Sequence, residues 1–384
     1  MTGLPSKLQD KILERTNNGS LRQLNGPNEN IDFSSNDYLG FSKSESIFDR
    51  AGEILVSQKL KQNGATGSRL LSGNHQLYQI AENQIAHFHK SDAALIFNSG
   101  YDANVGVFSS IPQRGDVILF DELCHASIRD GIRMSHAKAY KYAHNDYKSL
   151  ESLCQTVVKN RLGGGEIYIV TESVFSMDGD SPDLQVMVEL AKKYGARCIV
   201  DEAHALGILG EKGEGMVQEL NLQDAFFARI ITFGKALGCH GAVVLGKREV
   251  IDYLINFARS FVYTTGLPPH TIATVSAGYE QLATDSKMVK ELHHNIAILR
   301  NEIKMNNLDN RFIASNSAIH SMVIPSNRAV KEFADFLCGK GFDVKPILSP
   351  TVPIGEERLR ICLHSFNSEN DIRKLVQHLA IFAA

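Results

Sequence analysis

Short apolar runs alternate with amphipathic segments through the middle of the chain. The runs are AALIF (93–97), VILF (117–120), IYIV (167–170), CIV (198–200), RIITF (229–233) and AVVLG (242–246). Segments such as LYQIAENQIAHFH (77–89), with apolar residues at helical spacing, separate them. Short apolar runs divided by helices are typical of buried parallel strands joined by crossovers. From about 46 to 275 the pattern therefore predicts an α/β fold, a doubly wound or related α/β/α sandwich with a mostly parallel sheet.

The pattern changes after about residue 276. The segment KMVKELHHNIAILRNEIKM (287–305) predicts a long amphipathic helix. The rest reads strand, helix, strand, strand, helix in the segments SAIHSMVIP, AVKEFADFLCGKG, DVKPIL, ERLRICLH and DIRKLVQHLAIF. This βαββα order predicts a small α+β domain. We therefore expect three parts: an N-terminal arm (1–45), a large domain (46–275) and a small C-terminal domain (276–384).

Composition narrows the classes of partner. The 384 residues are 43% hydrophobic and 22% charged, which is ordinary for a globular chain. A net charge of -3 provides no basic field for nucleic acid or an anionic membrane. The N-terminus is charged throughout, and no run reaches the ~18 apolar residues of a membrane helix. The 6 cysteines are scattered without a CxxC pair, so we expect reduced thiols and a cytoplasmic protein.

Two ionisable residues follow apolar strands in the predicted sheet. Asp201 ends CIVD, and Lys235 follows the run IITFG. The carboxyl edge of an open α/β sheet is where such folds bind ligands. A lysine held at this edge has a lowered amine pKa and can form a Schiff base, and a buried aspartate requires a cationic partner. A pyridoxal phosphate (PLP) ring, with its pyridinium nitrogen, satisfies both residues, although most lysines are merely exposed side chains.

A turn and a histidine lie at other predicted strand ends. Gly100 and Tyr101 occupy the turn from AALIF into a helix, where free N–H groups and the helix dipole favour a phosphate. A simple capped turn would look the same. His125 follows VILF, where its imidazole can lie on an aromatic cofactor and donate to a substrate oxygen. A surface or capping histidine remains the alternative.

Several polar residues remain open between binding and structural roles. TESVFSMDGD (171–180) suggests a divalent metal, but its spacing favours a solvated loop. Asp201 and His204, three residues apart, are also compatible with metal binding or a helix N-cap, but a metal site would lack an obvious third ligand. Thr264 and Thr265 offer hydroxyls for a phosphate or belong to an ordinary strand. Thr351 and Arg360 suggest carboxylate binding, with a surface arginine as the alternative.

Taken in order, these segments resemble the α-oxoamine synthases, a family of fold-type I PLP enzymes, over nearly the whole chain. The matching segments are SSNDYLG (34–40), GATGSRLLSGNH (64–75), SGYDAN (99–104), HASIRDG (125–131), VFSMDGD (174–180), DEAHALG (201–207), TFGKALG (232–238) and SPTVPIGEERLRI (349–361). Two further local matches are AHND (143–146) and PTVP (350–353). Taken together, these matching segments are highly specific to the family.

The resemblance implies a role for each matched residue. Lys235 would bind the cofactor covalently, Asp201 would pair with the pyridinium nitrogen, and His125 would stack on the ring. Further cofactor contacts are implied for Gly100, Tyr101, Ser176, His204, Thr232 and Thr264, and substrate contacts for Arg22, His125, Thr351 and Arg360. Thr264 would act across the interface of a homodimer with shared active sites.

The resemblance also implies an activity. It is the decarboxylative condensation of an amino acid with an acyl thioester, here L-alanine with pimeloyl-CoA or pimeloyl-acyl carrier protein. Sister activities on the same scaffold, such as glycine C-acetyltransferase or serine palmitoyltransferase, remain open. A non-catalytic binding protein is disfavoured because Lys235, Asp201 and His125 are all present, and a Rossmann dehydrogenase is disfavoured because the chain lacks the glycine fingerprint.

Three residues depart from the family pattern. Glu202 stands where many relatives carry a second aspartate, and we expect this change to be harmless. Cys239 and His240 occupy a loop where small residues are common, so the loop near the phosphate is expected to differ. The N-terminal arm is short, and Arg22 is its only implied site residue.

Overall fold

The structure is a computed structural model that describes residues 3–24, 26, 28–160 and 164–383. The α-helices are α1 (Ser6–Asn17), α2 (Glu45–Ser57), α3 (Gln76–Phe88), α4 (Gly100–Ser110), α5 (Ala126–Met134), α6 (Tyr147–Asn160), α7 (Leu184–Tyr194), α8 (Met216–Glu219), α9 (Arg248–Phe257), α10 (Arg259–Val262), α11 (Pro269–Thr284), α12 (Lys287–Met305), α13 (Asn327–Gly339) and α14 (Glu369–Ala383). The strands are β1 (Ile31–Asp32), β2 (Ala93–Phe97), β3 (Val117–Asp121), β4 (Lys138–Tyr142), β5 (Ile167–Glu172), β6 (Arg197–Asp201), β7 (Phe226–Thr232), β8 (Ala242–Gly246), β9 (Ile319–Val323), β10 (Phe342–Asp343), β11 (Lys345–Ile347) and β12 (Arg358–Cys362).

The chain forms two compact units. We call residues 36–176 and 181–291 the sheet unit, and residues up to 35, 177–180 and from 292 onward the terminal unit. In the sheet unit α11 packs on α2 and α3. The domain boundaries expected from the sequence, after residues 45 and 275, stay a prediction. The compact units change instead at 35/36 and 291/292, and the short segment 177–180 belongs to the terminal unit.

The sheet unit is built on seven strands in the order β2-β8-β7-β6-β5-β3-β4. All six apolar runs form strands of this sheet. Strands β3 to β7 are parallel, whereas β8 is antiparallel to both of its neighbours, β2 and β7. The prediction of a mostly parallel α/β sheet is confirmed, and the expectation that AVVLG is one of the parallel strands is wrong. A short loop after β7 reverses the chain directly, so no crossover helix is needed.

One strand has no apolar run. β4, with the sequence KAYKY, pairs in parallel with β3 at the edge of the sheet, and four of its five residues are exposed. An edge strand with lysines on it buries little apolar surface and is protected from further pairing. Its sequence therefore lacks the hydrophobic run that identified the other strands.

Alternate residues of the strands pack on opposite faces of the sheet. In β5, Tyr168 and Val170 join the cluster that includes residues of α4, α5 and α9, whereas Ile167 and Ile169 join the cluster with residues of α6 and α7. Side chains alternate between faces along a strand, so a sheet with helices on both faces requires continuous apolar runs. The sheet is therefore the middle layer of an α/β/α sandwich, and its strand ends are fixed by two cores.

The terminal unit contains the predicted βαββα region. Strands β9, β12 and β11 form an antiparallel sheet, and β1 pairs with β10 in parallel. The predicted strand DVKPIL divides into β10 and β11, which belong to different sheets. The two predicted helices are α13 and α14, and α13 packs on β12. None of the helices in the described residues combines the length and apolar character that crossing a lipid bilayer requires.

Candidate active site

Four ionisable side chains lie at the carboxyl ends of adjacent strands in the sheet unit. Glu172 ends β5 and is in register with Asp201, which ends β6. His125 follows β3, and Lys235 follows β7. The pKa of His125 responds to the charges of both Asp201 and Lys235, and so does the pKa of Glu172, which shows that the four groups share one site. His125, Asp201 and Lys235 thus lie at one edge of the sheet, and their roles toward a cofactor stay predictions.

Asp201 is held in place by hydrogen bonds. Its side chain is buried, and its Oδ2 accepts from Asn104 Nδ2 at 2.7 Å. Its Oδ1 accepts from the backbone N–H of Ala203 at 2.8 Å. Asn104 donates its other amide proton to Ser127 Oγ at 3.0 Å, so both amide protons are used. A buried carboxylate fixed in this way is suited to pair with a cationic ring nitrogen.

His125 is the N-cap of α5 and carries a neutral imidazole. Burial lowers its pKa, and the Lys235 charge acts in the same direction against the opposing effect of Asp201. Its Nδ1 accepts from the backbone N–H of Ser127 at 3.2 Å and lies 2.7 Å from Ser127 Oγ. Because Nδ1 accepts, the proton of the neutral ring is on Nε2. His125 thus offers an Nε2–H donor, and it also has the helix-capping role that the sequence left open.

The sequence interpretation missed Glu172 as a site residue. It lies in the segment interpreted as a solvated loop, but Glu172 is 3% exposed and Asp178, in the terminal unit, is 7% exposed. That interpretation is therefore wrong for both carboxyls. Glu172 follows the apolar run IYIV after one threonine, so its position at a strand end could have identified it in the way that Asp201 was identified. Asn104 and Tyr38 were missed too, although both lie inside matched segments.

The start of α4 forms a cradle with the end of β7. Ser99 caps the helix by accepting from Asp102 N at 3.0 Å. A Cβ at Gly100 would lie 3.4 Å from Thr232 Oγ1, so the helix start is in van der Waals range of the end of β7. The Tyr101 side chain is 49% exposed and donates to Asp130 Oδ2 at 2.8 Å. The backbone N–H of Tyr101 lies in the first turn of α4. Free N–H groups at a helix start favour a phosphate.

The loop that carries Lys235 is closed by backbone hydrogen bonds. Gly238 N donates to Lys235 O at 2.8 Å, and Cys239 N donates to Phe233 O at 2.8 Å. Gly238 has a φ of 62°, and a Cβ there would clash with the backbone of Ser42 at 2.2 Å, so this position requires glycine. Lys235 is half-buried in this tight turn. The turn holds the amine close to the other charged groups.

The remaining cofactor candidates also lie in the sheet unit. His204 is buried, and its Nδ1 lies 2.7 Å from the hydroxyl of Tyr38. Ser176 is half-buried in the turn after β5. Thr264 Oγ1 accepts from Asn98 Nδ2 at 3.0 Å, just before the cradle of α4. In this subunit Thr264 therefore lies beside its own chain's cradle, and its action across a dimer interface stays a prediction.

Three of the four substrate candidates lie in the terminal unit, and the fourth, His125, lies in the sheet unit. Arg360, in β12, is 7% exposed, and its Nη1 contacts Cys362 Sγ at 2.9 Å, which removes the alternative of a surface arginine. Thr351 is exposed in the turn before β12, and its N–H donates to Leu348 O at 2.8 Å. Arg22 is exposed in a segment without regular structure. Their roles stay predictions.

The departures from the family pattern have structural explanations. Glu202 forms a buried ion pair with Arg229, whose Nε lies 2.8 Å from Glu202 Oε2, and it also accepts from Val217 N at 3.0 Å. Cys239 donates to Leu237 O at 3.1 Å, and burial raises the pKa of its thiol to about 12, so it is not a thiolate. His240 is exposed. All 6 cysteines are free thiols.

The residues present fit PLP. The start of α4, at Gly100, offers backbone donors for a phosphate. Lys235 offers an amine, and Asp201 offers a buried carboxylate that accepts from the Asn104 amide and from the Ala203 N–H. An amine, an anion site and a carboxylate for a ring nitrogen form the donor set that this cofactor requires.

Comparisons with known proteins agree with this assignment. The family model "Aminotransferase class I and II" matches residues 28–379. An 8-amino-7-oxononanoate synthase of Emericella nidulans is 41% identical over 92% of this chain and 89% of its own length. Among solved structures, the 8-amino-7-oxononanoate synthase of Francisella tularensis is 27% identical with a TM-score of 0.77, covering 92% of this chain and 98% of that one. A serine palmitoyltransferase solved with PLP is 25% identical with a TM-score of 0.89, covering 99% and 98%. The chain therefore belongs to the aminotransferase class I and II family of fold-type I PLP enzymes and, within it, to the α-oxoamine synthases.

Proposed function

We propose that the protein condenses L-alanine with a pimeloyl thioester, with loss of CO2, to give 8-amino-7-oxononanoate and the free thiol carrier. This is a step of biotin synthesis. The observation that carries the proposal is the convergence of Lys235, His125 and Asp201 at one sheet edge, in a chain 41% identical to a synthase of that name. One proton is consumed overall, since the carboxylate leaves as CO2 and a hydrogen replaces it.

PLP is the cofactor, and when bound it withdraws electrons from the α-carbon of the amino acid. Lys235 would hold it covalently through the ε-amine, and Asp201 would pair with its ring nitrogen. The backbone N–H groups of Gly100 and Tyr101 would hold its phosphate, and Thr264 of the partner subunit would reach the phosphate across the dimer interface. Thr232, just before the loop that carries Lys235, would assist in binding the cofactor. Ser176 and His204 would complete the binding site around the ring.

The protein's own groups move the protons of the reaction. The Lys235 amine would accept the α-proton of L-alanine, because it lies at the same sheet edge as the groups that hold the cofactor. The neutral His125, with its proton on Nε2, would donate a hydrogen bond to the thioester oxygen while negative charge develops there. The lowered pKa of His125 keeps its imidazole neutral near pH 7, whereas the Lys235 amine has to be neutral to accept the proton.

Substrate carboxylates would be bound by residues of the terminal unit. Arg360 is a buried guanidinium, a group that binds a carboxylate through two parallel hydrogen bonds. Thr351 offers a hydroxyl, and Arg22 offers a second guanidinium, which is exposed. We assign Arg360 to the amino acid carboxylate, and Arg22 and Thr351 to the acyl substrate.

We further propose a cytoplasmic homodimer with shared active sites. Tyr263, next to Thr264, is 74% exposed, and Leu71, in the matched segment 64–75, is 85% exposed. Large apolar side chains facing solvent beside a binding site favour coverage by a partner subunit. The free thiols of all 6 cysteines are compatible with a reducing compartment.

A sister activity is the second candidate. The serine palmitoyltransferase structure has a TM-score of 0.89 against 0.77 for the Francisella synthase, which favours this candidate in backbone shape. The 41% identity to the Emericella synthase favours the first candidate in sequence. The two enzymes share the cofactor chemistry and differ in the amino acid and in the length of the acyl chain.

Paired substrate assays decide between these candidates. The PLP-loaded protein is incubated with L-alanine, glycine or L-serine against pimeloyl-CoA, pimeloyl-acyl carrier protein, acetyl-CoA or palmitoyl-CoA, and free thiol, CO2 and product mass are measured. We expect turnover with L-alanine and a pimeloyl thioester, and none with the Lys235→Ala protein. Turnover only with glycine and acetyl-CoA, or only with serine and palmitoyl-CoA, would overturn the proposal in favour of the sister activity.

A further inference from the structure

A second carboxyl lies beside the one that faces the cofactor's ring nitrogen. Glu172 and Asp201 occupy matched positions at the ends of adjacent parallel strands, so their side chains point to the same side of the sheet. Both are buried, at 3% and 6% exposure. Two buried carboxyls at neighbouring positions resist being ionised together. The proposed function gives a role to Asp201 and none to Glu172.

Glu172 is bonded to the main chain of another site residue. Its Oε1 accepts from the backbone N–H of His125 at 2.5 Å. This bond connects β5 to the N-cap of α5, whose imidazole is fixed by Ser127. The position of the His125 ring therefore depends on Glu172 through the backbone, and a change at Glu172 would move the ring without touching it.

The charged and titratable groups that face Glu172 come from every neighbouring strand end. They are Asp201 at the end of β6, Asp121 at the end of β3, Cys124 and His125 in the turn after β3, and Lys235 after β7. Asp121 already pairs with His144, whose Nδ1 lies 2.9 Å from Asp121 Oδ1. The Lys235 charge acts on Glu172 in the opposite direction to the carboxylates and lowers its pKa.

We propose that Glu172 is a positioning residue of the cofactor site, a buried carboxyl that stays protonated while its oxygen holds the backbone of His125, so that Asp201 alone carries the negative charge. A neutral Glu172 both accepts from His125 and avoids repulsion with Asp201. An ionised Glu172 would compete with Asp201 for the positive charge of the site. The inference rests on the proposed function only for the identity of the cofactor.

The electrostatics of the site agree with the geometry. Burial, followed by the Asp201 charge, raises the pKa of Glu172 from 4.5 to about 8, against the opposing effects of the His125 N–H and Lys235. Between pH 4.5 and about pH 8, Glu172 keeps its proton in the folded protein, whereas in the unfolded chain it has lost it. The stability that this proton provides is fully present below pH 4.5 and is lost as the pH rises through 8.

The decisive experiment compares the apoprotein with the variants Glu172→Gln and Glu172→Leu. Glutamine imitates the protonated acid and keeps an acceptor oxygen, whereas leucine has similar volume and no acceptor. Urea unfolding from pH 5 to 8.5 is measured for wild type and Glu172→Gln. We expect the unfolding constant of wild type relative to the glutamine variant to rise by up to about tenfold per pH unit in this range. If the ratio of the two unfolding constants did not depend on pH, the proposal that Glu172 is protonated in the folded protein would be overturned.

The positioning role is measured at pH 7 through PLP binding and the absorption spectrum of the bound cofactor. Glu172→Gln should bind PLP within about twofold of wild type, and Glu172→Leu roughly tenfold more weakly with a changed spectrum, because the His125 N–H loses its acceptor. Wild-type binding and spectrum in the leucine variant, or equal damage in both variants, would overturn the proposal. If the leucine variant does not fold, the pH series of the other two proteins and the PLP affinity of Glu172→Gln still decide it.

Failure of this inference is distinguishable from failure of the proposed function. The unfolding series requires no cofactor and no substrate, so it tests Glu172 in the apoprotein. A wild-type protein that did not bind PLP would refute the proposed function and leave the pH dependence of unfolding unchanged.

Discussion

Asn104 Nδ2 donates to Asp201 Oδ2 over 2.7 Å, which bonds helix α4 to the end of strand β6. The same helix begins at Gly100, where we place the phosphate. One amide therefore links the phosphate end of the proposed site to its ring-nitrogen end. Asn104 Oδ1 has no hydrogen-bond partner among the described residues, so the amide's contribution comes from its two donated bonds.

Replacing Asn104 should weaken cofactor binding. Asn104→Ala removes a hydrogen bond to a charged group, which is worth about 1.5–3 kcal/mol, so the Kd for PLP should rise roughly 10- to 100-fold. Asn104→Asp should be worse, because it places a second carboxylate against Asp201. Fluorescence titration with PLP measures both. Asn256→Ala, at an exposed asparagine of α9, is the control; equal affinities in all four proteins would contradict the role of Asn104.

Replacing Lys235 should remove covalent attachment of the cofactor and leave the fold intact. Lys235→Ala should have no detectable turnover, because both the covalent link and the proton acceptor are lost. Borohydride reduction followed by peptide mass spectrometry should find a cofactor adduct on Lys235 in wild type and none at this position in the variant. Lys247→Ala, at an exposed lysine before α9, should behave as wild type. An adduct on a different lysine in wild type would refute the assignment.

Breaking the buried pair of Glu202 and Arg229 should be costly. Arg229→Met leaves the Glu202 carboxylate buried without its cation, and we expect a loss of about 3–5 kcal/mol in the free energy of unfolding. The double variant Glu202→Met with Arg229→Met should recover most of this loss, since no unpaired charge remains. Urea unfolding of the single and double variants tests it, with Arg248→Met at an exposed arginine as the control. A double variant as unstable as the single one would show that the loss does not come from the unpaired carboxylate.

His320 should make the protein sensitive to mild acid. Burial, followed by the Arg300 charge, lowers its pKa from 6.5 to about 4, so the folded protein keeps the ring neutral where the unfolded chain protonates it. The stability that results is fully present above pH 6.5 and is lost as the pH falls to 4, by about 3 kcal/mol. His320→Gln should lack this dependence, whereas His270→Gln, at an exposed histidine, should keep it. Unfolding at pH 7 and pH 4.5 measures the difference, and parallel losses in wild type and His320→Gln would exclude His320 as the cause.

The two central cofactor candidates could be located from the sequence because each follows an apolar strand. Asp201 and Lys235 follow runs that had to be buried strands, and parallel strands bring their carboxyl ends to one edge. Glu172 obeys the same rule, but acidic neighbours in TESVFSMDGD favoured a solvated loop. Its burial depends on what packs over the strand end, which a linear pattern does not contain.

The sequence alone determined the layered α/β architecture, the positions of the six apolar strands along the chain and the class of cofactor, because hydrophobic runs and the polar residues that follow them are local properties. The tertiary structure decided which contacts those residues make: the bond from Asn104 to Asp201, the hold of Glu172 on His125, the ion pair between Glu202 and Arg229, and the reversed direction of β8. Each of these joins residues that are distant in the chain or depends on a whole strand's orientation. Such contacts arise only when the sheet brings separate segments together and the surrounding side chains exclude water.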